Sequence, residues 1–326
     1  MSKIRWGILS TADIGRRSVG PAIQQSSNGE LVAVASRSLE RAQQYAADLN
    51  IPRAYGSYDE LLADPEIDAI YNPLPNHLHG VWSIKAAEAG KAVLCEKPLA
   101  ADAAEAQQML DACRAHNVLL AEAFMYRYHP MIEVIRRMVH EGAIGTVKII
   151  RASFTFWMDD TRHATDIRTQ PNMAGGSLMD VGTYPVSLMR LITEEEPIRA
   201  QASAIWAESG TDDNMVGTLQ FPSGVLGHFD CGFRAAFQNS ADILGDTGRI
   251  YIESAFVHNE NEEYTAHLWR GDVHEELRFP AVNHYTLIVE DFADAMQQVR
   301  PTRYPPQDAV NQMRALDMLY ASARGV

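Results

Sequence analysis

The first third of the chain alternates short apolar segments with amphipathic ones, and this alternation constrains the fold more than any other feature of the sequence. Residues 4–9, 31–36 and 69–72 have the apolar character of buried strands, and helical patterns over 13–25 and 79–89 lie between strands. Repeated strand–helix–strand units give a parallel sheet with right-handed crossovers. We therefore predict a doubly wound parallel sheet over residues 1–123.

The pattern changes after Phe124. A helix is predicted over 130–141 and another over 182–192, and most of the remaining chain as far as Arg270 has the character of strands. Sequential strands without intervening helices indicate a mostly antiparallel sheet. We predict a second domain over 124–300, built as an α+β unit with a large, predominantly antiparallel open sheet. The last helix, within 301–326, is expected to pack back on the first domain.

Composition excludes several classes of partner. The formal net charge is −14, so phosphate-rich surfaces would be repelled, which argues against nucleic acid and an anionic membrane. No apolar run approaches the roughly 18 residues needed to cross a bilayer. The three cysteines, Cys95, Cys113 and Cys231, have no metal-cage or disulfide spacing. The N-terminus enters a strand without an apolar leader, so a cytoplasmic location is expected.

The turn after the first predicted strand occupies the position of a dinucleotide-binding fingerprint. In a G-x-G-x-x-G pattern, Ser10 and Ala12 replace the first two glycines and Gly15 retains the third. Serine and alanine are small enough to let backbone amides face a phosphate at the helix N-terminus. An ordinary strand–helix turn is the alternative interpretation. The residues expected to contact the cofactor here are Ser10, Thr11, Ala12, Asp13 and Ile14.

The end of the second strand indicates which dinucleotide is bound. An NAD site usually presents Asp or Glu to the ribose hydroxyls, whereas this chain has Ser36 and Arg37, with Arg41 one helical turn further on. A guanidinium pairs with a 2′-phosphate that a carboxylate would repel. The pattern therefore favours NADP over NAD. A solvated helix start remains the other explanation for each arginine.

The segment from Ala92 to Ala100 combines a buried strand with an ionisable pair. Four apolar residues lead directly to Glu96 and Lys97, and Pro98 then ends the strand. Open α/β sheets bind ligands at the carboxyl ends of their strands. A lysine at the mouth of a low-dielectric cleft can transfer protons near neutrality. A surface salt bridge is the alternative.

Taken together, four segments resemble the glucose-fructose oxidoreductase, inositol dehydrogenase and MocA family of NAD(P)-dependent oxidoreductases. They are Asn72-Pro-Leu-Pro-Asn-His-Leu-His79, Glu96-Lys97-Pro98, Glu122-Ala-Phe-Met-Tyr-Arg127-Tyr-His129-Pro130 and Gly175-Gly-Ser-Leu-Met-Asp180-Val-Gly-Thr-Tyr184-Pro185. The chain is most similar to the branch that holds NADP-dependent D-xylose dehydrogenases, dimeric dihydrodiol dehydrogenases and glucose-fructose oxidoreductases. Inositol dehydrogenases usually carry a histidine where Tyr184 stands, which weakens an inositol interpretation.

The resemblance implies roles for particular residues. Lys97 would hold the reacting oxygen, Tyr184 would exchange a proton with it, and Asp180 would bond a substrate hydroxyl or orient Lys97. A tyrosine with an ordinary pKa near 10 needs a neighbouring ammonium to act as a base. A helix N-cap is the alternative role for Asp180. The residues implied to border the cofactor are Leu74, Pro75, Asn76, His79, Glu96, Lys97 and Arg127, although an interdomain salt bridge is equally open for Arg127.

The favoured function is an NADP-dependent oxidoreductase that acts on a sugar or a cyclic diol. The alternatives are a non-catalytic dinucleotide-binding sensor or regulator, and an inositol or NAD-dependent glycoside-type member of the family. His77 and His79 form an H-x-H pair without a third ligand, and hydride transfer needs no metal, so none is expected. The family pairs through its C-terminal sheet, so a homodimer is expected, with a tetramer possible.

Overall fold

A computed structural model describes residues 2–325, which form two compact units. The first unit comprises Met1–Met125 and Asn283–Val310, and the second comprises Tyr126–Val282 and Asn311–Val326. These units divide the C-terminal residues differently from the prediction.

The first unit contains a six-stranded parallel sheet in the order β3-β2-β1-β4-β5-β6. Its strands are β1 (Ile4–Leu9), β2 (Gly29–Ala35), β3 (Arg53–Tyr55), β4 (Ala69–Asn72), β5 (Ala92–Glu96) and β6 (Leu120–Ala123). The order reverses between β1 and β4, where doubly wound sheets open a ligand-binding crevice at the carboxyl ends of the strands. The predicted doubly wound sheet is confirmed. Only the short strand β3, which has no apolar run, is not predicted from the sequence.

Five α-helices lie among the strands of this unit in the described residues, and polar side chains cap the start of three of them. They are α1 (Gly20–Gln25, continuing a π-helical turn Gly15–Val19), α2 (Leu39–Leu49), α3 (Tyr58–Leu62), α4 (His79–Glu88) and α5 (Ala103–Ala115). Ser38, Ser57 and Asp102 each accept a hydrogen bond from the backbone N–H three residues later. Such caps satisfy amide groups that have no partner inside the helix and fix where each helix starts.

The helix α9 (His284–Met296) belongs to the first unit, not to the second as predicted from the sequence. Its Phe292 ring lies 5.1 Å from the Trp6 ring, centroid to centroid. The Asn28 amide donates to the Glu290 carbonyl at 3.0 Å and to the Asp294 carboxylate at 2.8 Å. The chain therefore returns to the first sheet after completing the second, a return that local sequence patterns do not encode.

The second unit is built on an eight-stranded sheet in the order β14-β13-β12-β11-β7-β10-β9-β8. All neighbouring pairs are antiparallel except β7 with β10, so the predicted sheet type is confirmed. The strands are β7 (Val147–Trp157), β8 (Arg199–Trp206), β9 (Asp212–Gln220), β10 (Leu226–Gly232), β11 (Arg234–Gly245), β12 (Gly248–Ile252), β13 (Tyr264–Arg270) and β14 (Val273–Phe279). The edge strand β14 is largely exposed and lacks the alternation of apolar residues that predicts a strand.

The helices of the second unit precede β7, lie between β7 and β8, or follow the last strand. They are α6 (Pro130–His140), α7 (Asp160–His163), α8 (Thr183–Thr193) and α10 (Pro306–Arg324), the last of which begins in the first unit. The C-terminal part of α10 packs on the second unit, contrary to the prediction that it returns to the first domain. The Tyr320 hydroxyl donates to Asp212 at 2.7 Å, and the Ala202 amide donates to the Ser322 hydroxyl at 3.0 Å.

Within residues 2–325, no helix is long and apolar enough to cross a membrane. The three cysteines are buried free thiols. Burial raises the pKa of each thiol, to about 11 for Cys113 and well above the ordinary value for Cys95 and Cys231. Thiols of this kind are poor nucleophiles at neutral pH, so none of the three is a candidate for covalent catalysis.

The helix α6 begins at an unusual cap, the imidazole of His129. Its Nδ1 accepts a hydrogen bond from the Met131 amide at 3.2 Å, and its ring stacks on His258 with centroids 4.2 Å apart. His129 has no exposed surface. Burial lowers its pKa to about 4, and a protonated Nδ1 could not accept the Met131 amide.

We predict that protonation of His129 destabilises the fold in acid. The histidine pKa is about 6.5 in the unfolded chain and about 4 in the folded one, so the unfolded state binds more protons between these values. The free energy of unfolding should fall as pH falls from 6.5 to 4, and each such group contributes about 1.4 kcal/mol per pH unit. His129→Asn keeps a capping oxygen that does not titrate, so urea unfolding across this range should show a shallower decline. The exposed His116→Asn should leave the slope unchanged, and equal slopes for all three proteins would refute the prediction.

Candidate active site

The turn after β1 keeps the geometry of a glycine-rich fingerprint although its first glycine is replaced. Ser10 has a φ of 124°, a conformation that glycine adopts easily and that costs a serine about 1–3 kcal/mol. Its hydroxyl accepts a hydrogen bond from the Ala12 amide at 3.2 Å, and its own amide donates to the Ala35 carbonyl at 3.0 Å. The hydroxyl thus helps to hold a backbone shape that the residue type disfavours.

Gly15 has the packing role expected of the third glycine. A Cβ at this position would lie 2.7 Å from the Tyr45 hydroxyl oxygen, so a side chain would force the first helical segment away from its neighbours. The first helical residue is Asp13, shortly after the carboxyl end of β1. The five predicted residues 10–14 therefore surround a helix N-terminus, and the turn fits the pyrophosphate of a dinucleotide.

The end of β2 places Ser36 and Arg37 beside the start of α2. Ser36 is buried, and its hydroxyl accepts from the Ser38 amide at 3.4 Å. Arg37 is exposed, and its guanidinium hydrogen-bonds the hydroxyl of Tyr58. Burial raises the pKa of Tyr58, and the nearby guanidinium opposes this rise. Arg41 lies exposed in the first turn of α2. One guanidinium is therefore held at the strand end where a 2′-phosphate would need it.

The Glu96–Lys97–Pro98 turn is fixed by carboxylates at the ends of β5 and β6. Tyr71 donates to Glu96 Oε1 at 2.5 Å, and the Lys97 amide donates to Glu96 Oε2 at 3.2 Å. The Leu99 amide donates to Glu122 Oε1 at 2.9 Å, and the peptide bond between Lys97 and Pro98 is cis. Glu96 therefore orients the backbone of Lys97. No motif in the sequence predicts the parts played by Tyr71 and Glu122.

His79 lies buried between two loops of the first unit, and its expected position at the border of the cofactor stays a prediction. The side chain is fully buried, with Nε2 2.6 Å from the Leu74 carbonyl and Nδ1 2.9 Å from the Pro98 carbonyl. Burial lowers its pKa to about 4, so the ring is neutral at physiological pH. His79 thus links the loop that carries Leu74, Pro75 and Asn76 to the turn that carries Lys97. Among residues 2–325, no group of three or more His, Cys, Asp and Glu side chains could hold a metal ion.

In the second unit, Asp180 lies in a π-helical turn (Leu178–Gly182) that leads into α8. Its carboxylate accepts from the Arg168 guanidinium at 3.0 Å, and the charge of Asp180, followed by that of Asp166, raises the pKa of Arg168. The residue that precedes α8 is Gly182, so the alternative of Asp180 as its N-cap is not realised. Arg168 is not predicted because a loop, rather than a fixed spacing, brings it to Asp180.

A buried carboxylate, Asp212, holds the turn that presents Asp180. Its Oδ2 accepts from the Ser177 hydroxyl and from the Leu178 amide, both at 2.7 Å. Asp212 has no exposed surface, and burial raises its pKa. A Cβ on Gly176, whose φ is 129°, would collide with Asp212 Oδ1, so the glycine is required there. This carboxylate fixes the backbone from which the Asp180 side chain projects.

Tyr184 lies in the first turn of α8, four residues after Asp180, and is 5% exposed. Three aromatic rings surround it: those of Tyr126 at 5.7 Å, Phe154 at 5.2 Å and Phe256 at 5.7 Å, centroid to centroid. One turn further along α8, the Ser187 hydroxyl accepts from Arg127 Nε at 2.8 Å. Arg127 is 3% exposed, and the cofactor contact expected of it stays a prediction.

We predict that His79 acts by positioning the Lys97 turn. A neutral imidazole has one N–H and donates to only one of the two carbonyls. His79→Leu removes the ring between them, and displacement of Lys97 by about 1 Å should lower the turnover number about 10²-fold. The dissociation constant for the nicotinamide dinucleotide should change much less, because the phosphate-binding turn is intact. His79→Gln, whose amide can restore one hydrogen bond, should recover part of the turnover, and His116→Leu serves as the exposed control. Thermal unfolding should first show that each variant is folded, and turnover rates and dinucleotide affinities are then measured. Unchanged turnover in folded His79→Leu would refute the prediction.

Comparison with known proteins agrees with the two-unit organisation. Residues 4–124 match the profile of the oxidoreductase family with an NAD-binding Rossmann fold, and residues 132–251 match the GFO/IDH/MocA C-terminal domain. A D-xylose 1-dehydrogenase (NADP(+)) of Haloferax volcanii is 40% identical, covering 98% of this chain and 97% of the relative. A trans-1,2-dihydrobenzene-1,2-diol dehydrogenase of Mus musculus is 36% identical, covering 79% and 77%.

A solved structure extends the similarity to the fold of the whole chain. The 3-ketoreductase from Actinomadura kijaniata in complex with NADP and TDP-benzene superimposes with a TM-score of 0.91, at 29% identity and 98% coverage of both chains. The whole-length relative and the two matched domains agree on one assignment. This chain belongs to the GFO/IDH/MocA family of oxidoreductases.

Proposed function

We propose that the protein is an NADP-dependent oxidoreductase that transfers hydride between the nicotinamide and a sugar or cyclic diol, at C1 of an aldose or at a sugar carbonyl. The observation that carries the proposal is the whole-length similarity to an NADP-dependent D-xylose dehydrogenase. Two local features support it: the strand end with Ser36 and Arg37 suits a 2′-phosphate, and the phosphate-binding turn keeps its glycine-like shape.

The chemistry assigned to the chain is proton handling, since the nicotinamide of NADP supplies or accepts the hydride. When C1 of an aldopyranose is oxidised, the C1–H bond gives up its hydride, the hydroxyl proton passes to Tyr184, and a lactone results. Lys97 holds the same oxygen, and Asp180 bonds a neighbouring hydroxyl while it remains paired with Arg168. In the reducing direction Tyr184 returns the proton to the carbonyl oxygen. Removing a positioned proton donor of this kind typically costs 10²- to 10⁴-fold in rate.

We predict preferential binding of NADPH through Arg37. Titration of the protein with NADPH and NADH, followed by cofactor fluorescence, should show tighter binding of NADPH. Arg37→Ala should weaken NADPH binding about 10- to 100-fold, the amount expected for a lost hydrogen bond between charged groups, and should leave NADH almost unaffected. Arg114→Ala, on the exposed face of α5, is the matched control. Equal loss of both dinucleotides would show that Arg37 does not recognise the 2′-phosphate.

We predict that Lys97→Met and Tyr184→Phe abolish most turnover while NADPH still binds. Absorbance assays with NADP⁺ should detect oxidation of D-xylose or D-glucose by the unmodified enzyme, and kcat should fall about 10²- to 10⁴-fold in each variant. Lys85→Met and Tyr55→Phe, elsewhere in the first unit, are the matched controls. NADPH binding without turnover of any aldose, diol or sugar carbonyl would favour the sensor alternative instead.

We propose that two copies pair through the outer face of the eight-stranded sheet. This face exposes Ile205, Val216 and Leu226, which are 64%, 51% and 49% accessible on neighbouring strands. Apolar residues grouped on a surface commonly mark an interface between proteins. Sedimentation analysis should report a dimer or a tetramer, and Val216→Arg with Leu226→Glu should produce monomers. A monomer before mutation would exclude this interface.

We propose a cytoplasmic location on the basis of the cysteines. All three are buried as free thiols, the state that a reducing compartment maintains. Fractionation of the source cells measures the location directly.

A further inference from the structure

The second unit contains a pocket to which nothing above assigns a role. It has a volume of about 570 Å³ and lies between the helical segment that follows β7 and the hairpin that joins β8 to β9. Pockets for small ligands commonly measure about 300–1,000 Å³. We call it the His163 pocket, after the residue at its edge, and its polar or aromatic lining includes His163, Thr169, Gln170, Trp206, Ser209 and Asp213.

The walls of the His163 pocket are tied together by hydrogen bonds. His163 Nε2 lies 2.6 Å from Asp213 Oδ1, which joins α7 to the start of β9. The Thr169 hydroxyl donates to the His163 carbonyl at 2.6 Å, and the Thr211 hydroxyl donates to the Thr169 carbonyl at 3.3 Å. Thr169 and Thr211 are each 4% exposed. These hydrogen bonds hold the segments that line the pocket in a defined arrangement.

The lining indicates a neutral ligand rich in hydroxyl groups. It offers an imidazole, an amide, hydroxyls, an indole and the carboxylates of Glu208 and Asp213, and the lining residues that the structure describes include no Lys or Arg. The Arg324 guanidinium lies 5.3 Å from the Trp206 ring centroid, but the two carboxylates are the charged groups among the lining residues and disfavour a phosphate or a nucleotide. With Nε2 directed to Asp213, Nδ1 is the ring atom that can bond a hydroxyl. Hydroxyls alternating with C–H faces, as in a sugar ring, match this mixture of polar groups and an aromatic ring.

The position of the His163 pocket along the chain links it to Asp180. Thr169 lines the pocket, and the residue before it, Arg168, pairs with Asp180 at 3.0 Å. Consecutive Cα atoms are about 3.8 Å apart. A ligand in the pocket and a sugar hydroxyl on Asp180 would therefore both lie beside one short segment of chain.

We propose that the His163 pocket is a subsite for the non-reacting sugar unit of a substrate larger than a monosaccharide. The inference rests on the proposed function, and it narrows the substrate class to short oligosaccharides with a free reducing end. The reacting unit bonds Asp180, and the adjoining unit occupies the pocket and meets His163, Gln170 and Trp206. Phosphorylated and nucleotide-linked sugars are disfavoured in the pocket by its carboxylates.

The test compares matched monosaccharides and disaccharides. With NADP⁺, kcat/KM is measured for D-xylose and xylobiose, and for D-glucose and cellobiose. The unmodified enzyme should favour one disaccharide over its monosaccharide, and His163→Leu and Gln170→Ala should lower that preference at least tenfold while changing monosaccharide oxidation less than twofold. The exposed His116→Leu and Gln108→Ala are the controls. Equal kcat/KM for each monosaccharide and its disaccharide would overturn the proposal and leave the proposed function standing. Equal falls in kcat/KM for both sugars in the variants would do the same.

A binding experiment separates failure of the subsite from failure of the proposed function. Calorimetric titration of the full chain with xylobiose and with cellobiose needs no turnover. If no sugar is oxidised but a disaccharide binds the unmodified protein and not His163→Leu, the pocket is supported and the proposed function falls. If neither disaccharide binds and neither is oxidised in preference to its monosaccharide, the proposal is overturned.

Discussion

The nucleotide-binding segments and the Lys97 turn depend on one topological constraint, which is that all strands of the first sheet are parallel. Parallel strands end at a common edge, so the turns that follow β1, β2, β4 and β5 meet there without any specific attraction between them. The reversal of strand order between β1 and β4 opens the edge at that point. The sequence then has only to place suitable side chains immediately after each strand, as it does with Ser10, Ser36 and Lys97.

The precise shape of that edge is set by buried polar groups beneath it. His79 is fully buried with a carbonyl oxygen facing each ring nitrogen. Desolvating an imidazole is unfavourable, and the one hydrogen bond that the neutral ring donates to a carbonyl offsets part of this cost, while the ring packs between two loops. Asp212 does the same in the second unit, where one buried carboxylate accepts bonds from Ser177, Leu178 and Tyr320. In each unit, a buried polar side chain converts a flexible loop into a defined turn.

The sequence predicted the elements whose signals are local. Strand–helix alternation predicted the parallel sheet, and the apolar run ending at Glu96 predicted the strand that presents Lys97. The return of α9 to the first unit was not predictable, because the neighbouring rings of Phe292 and Trp6 are separated by most of the sequence. Arg168 and Asp212 were missed for the same reason, since each reaches its partner through tertiary packing rather than at a helical or strand spacing. The NADP dependence that the relatives support was predicted from neighbouring residues, since Ser36, Arg37 and Arg41 all follow one strand end.

The location of the charges explains how an acidic protein can still take a polyanionic cofactor. The net charge of −14 disfavours phosphates over the surface as a whole. At the first turn, however, a phosphate would meet backbone amides and a helix N-terminus, which carry no formal charge and are unaffected by the composition. Arg37 then supplies one cation where the second strand ends, whereas Arg168 is neutralised by Asp166 and Asp180. Arg37 thus places a cation at the predicted dinucleotide edge of the first unit, whereas the paired charges around Asp180 in the second would suit uncharged hydroxyl groups.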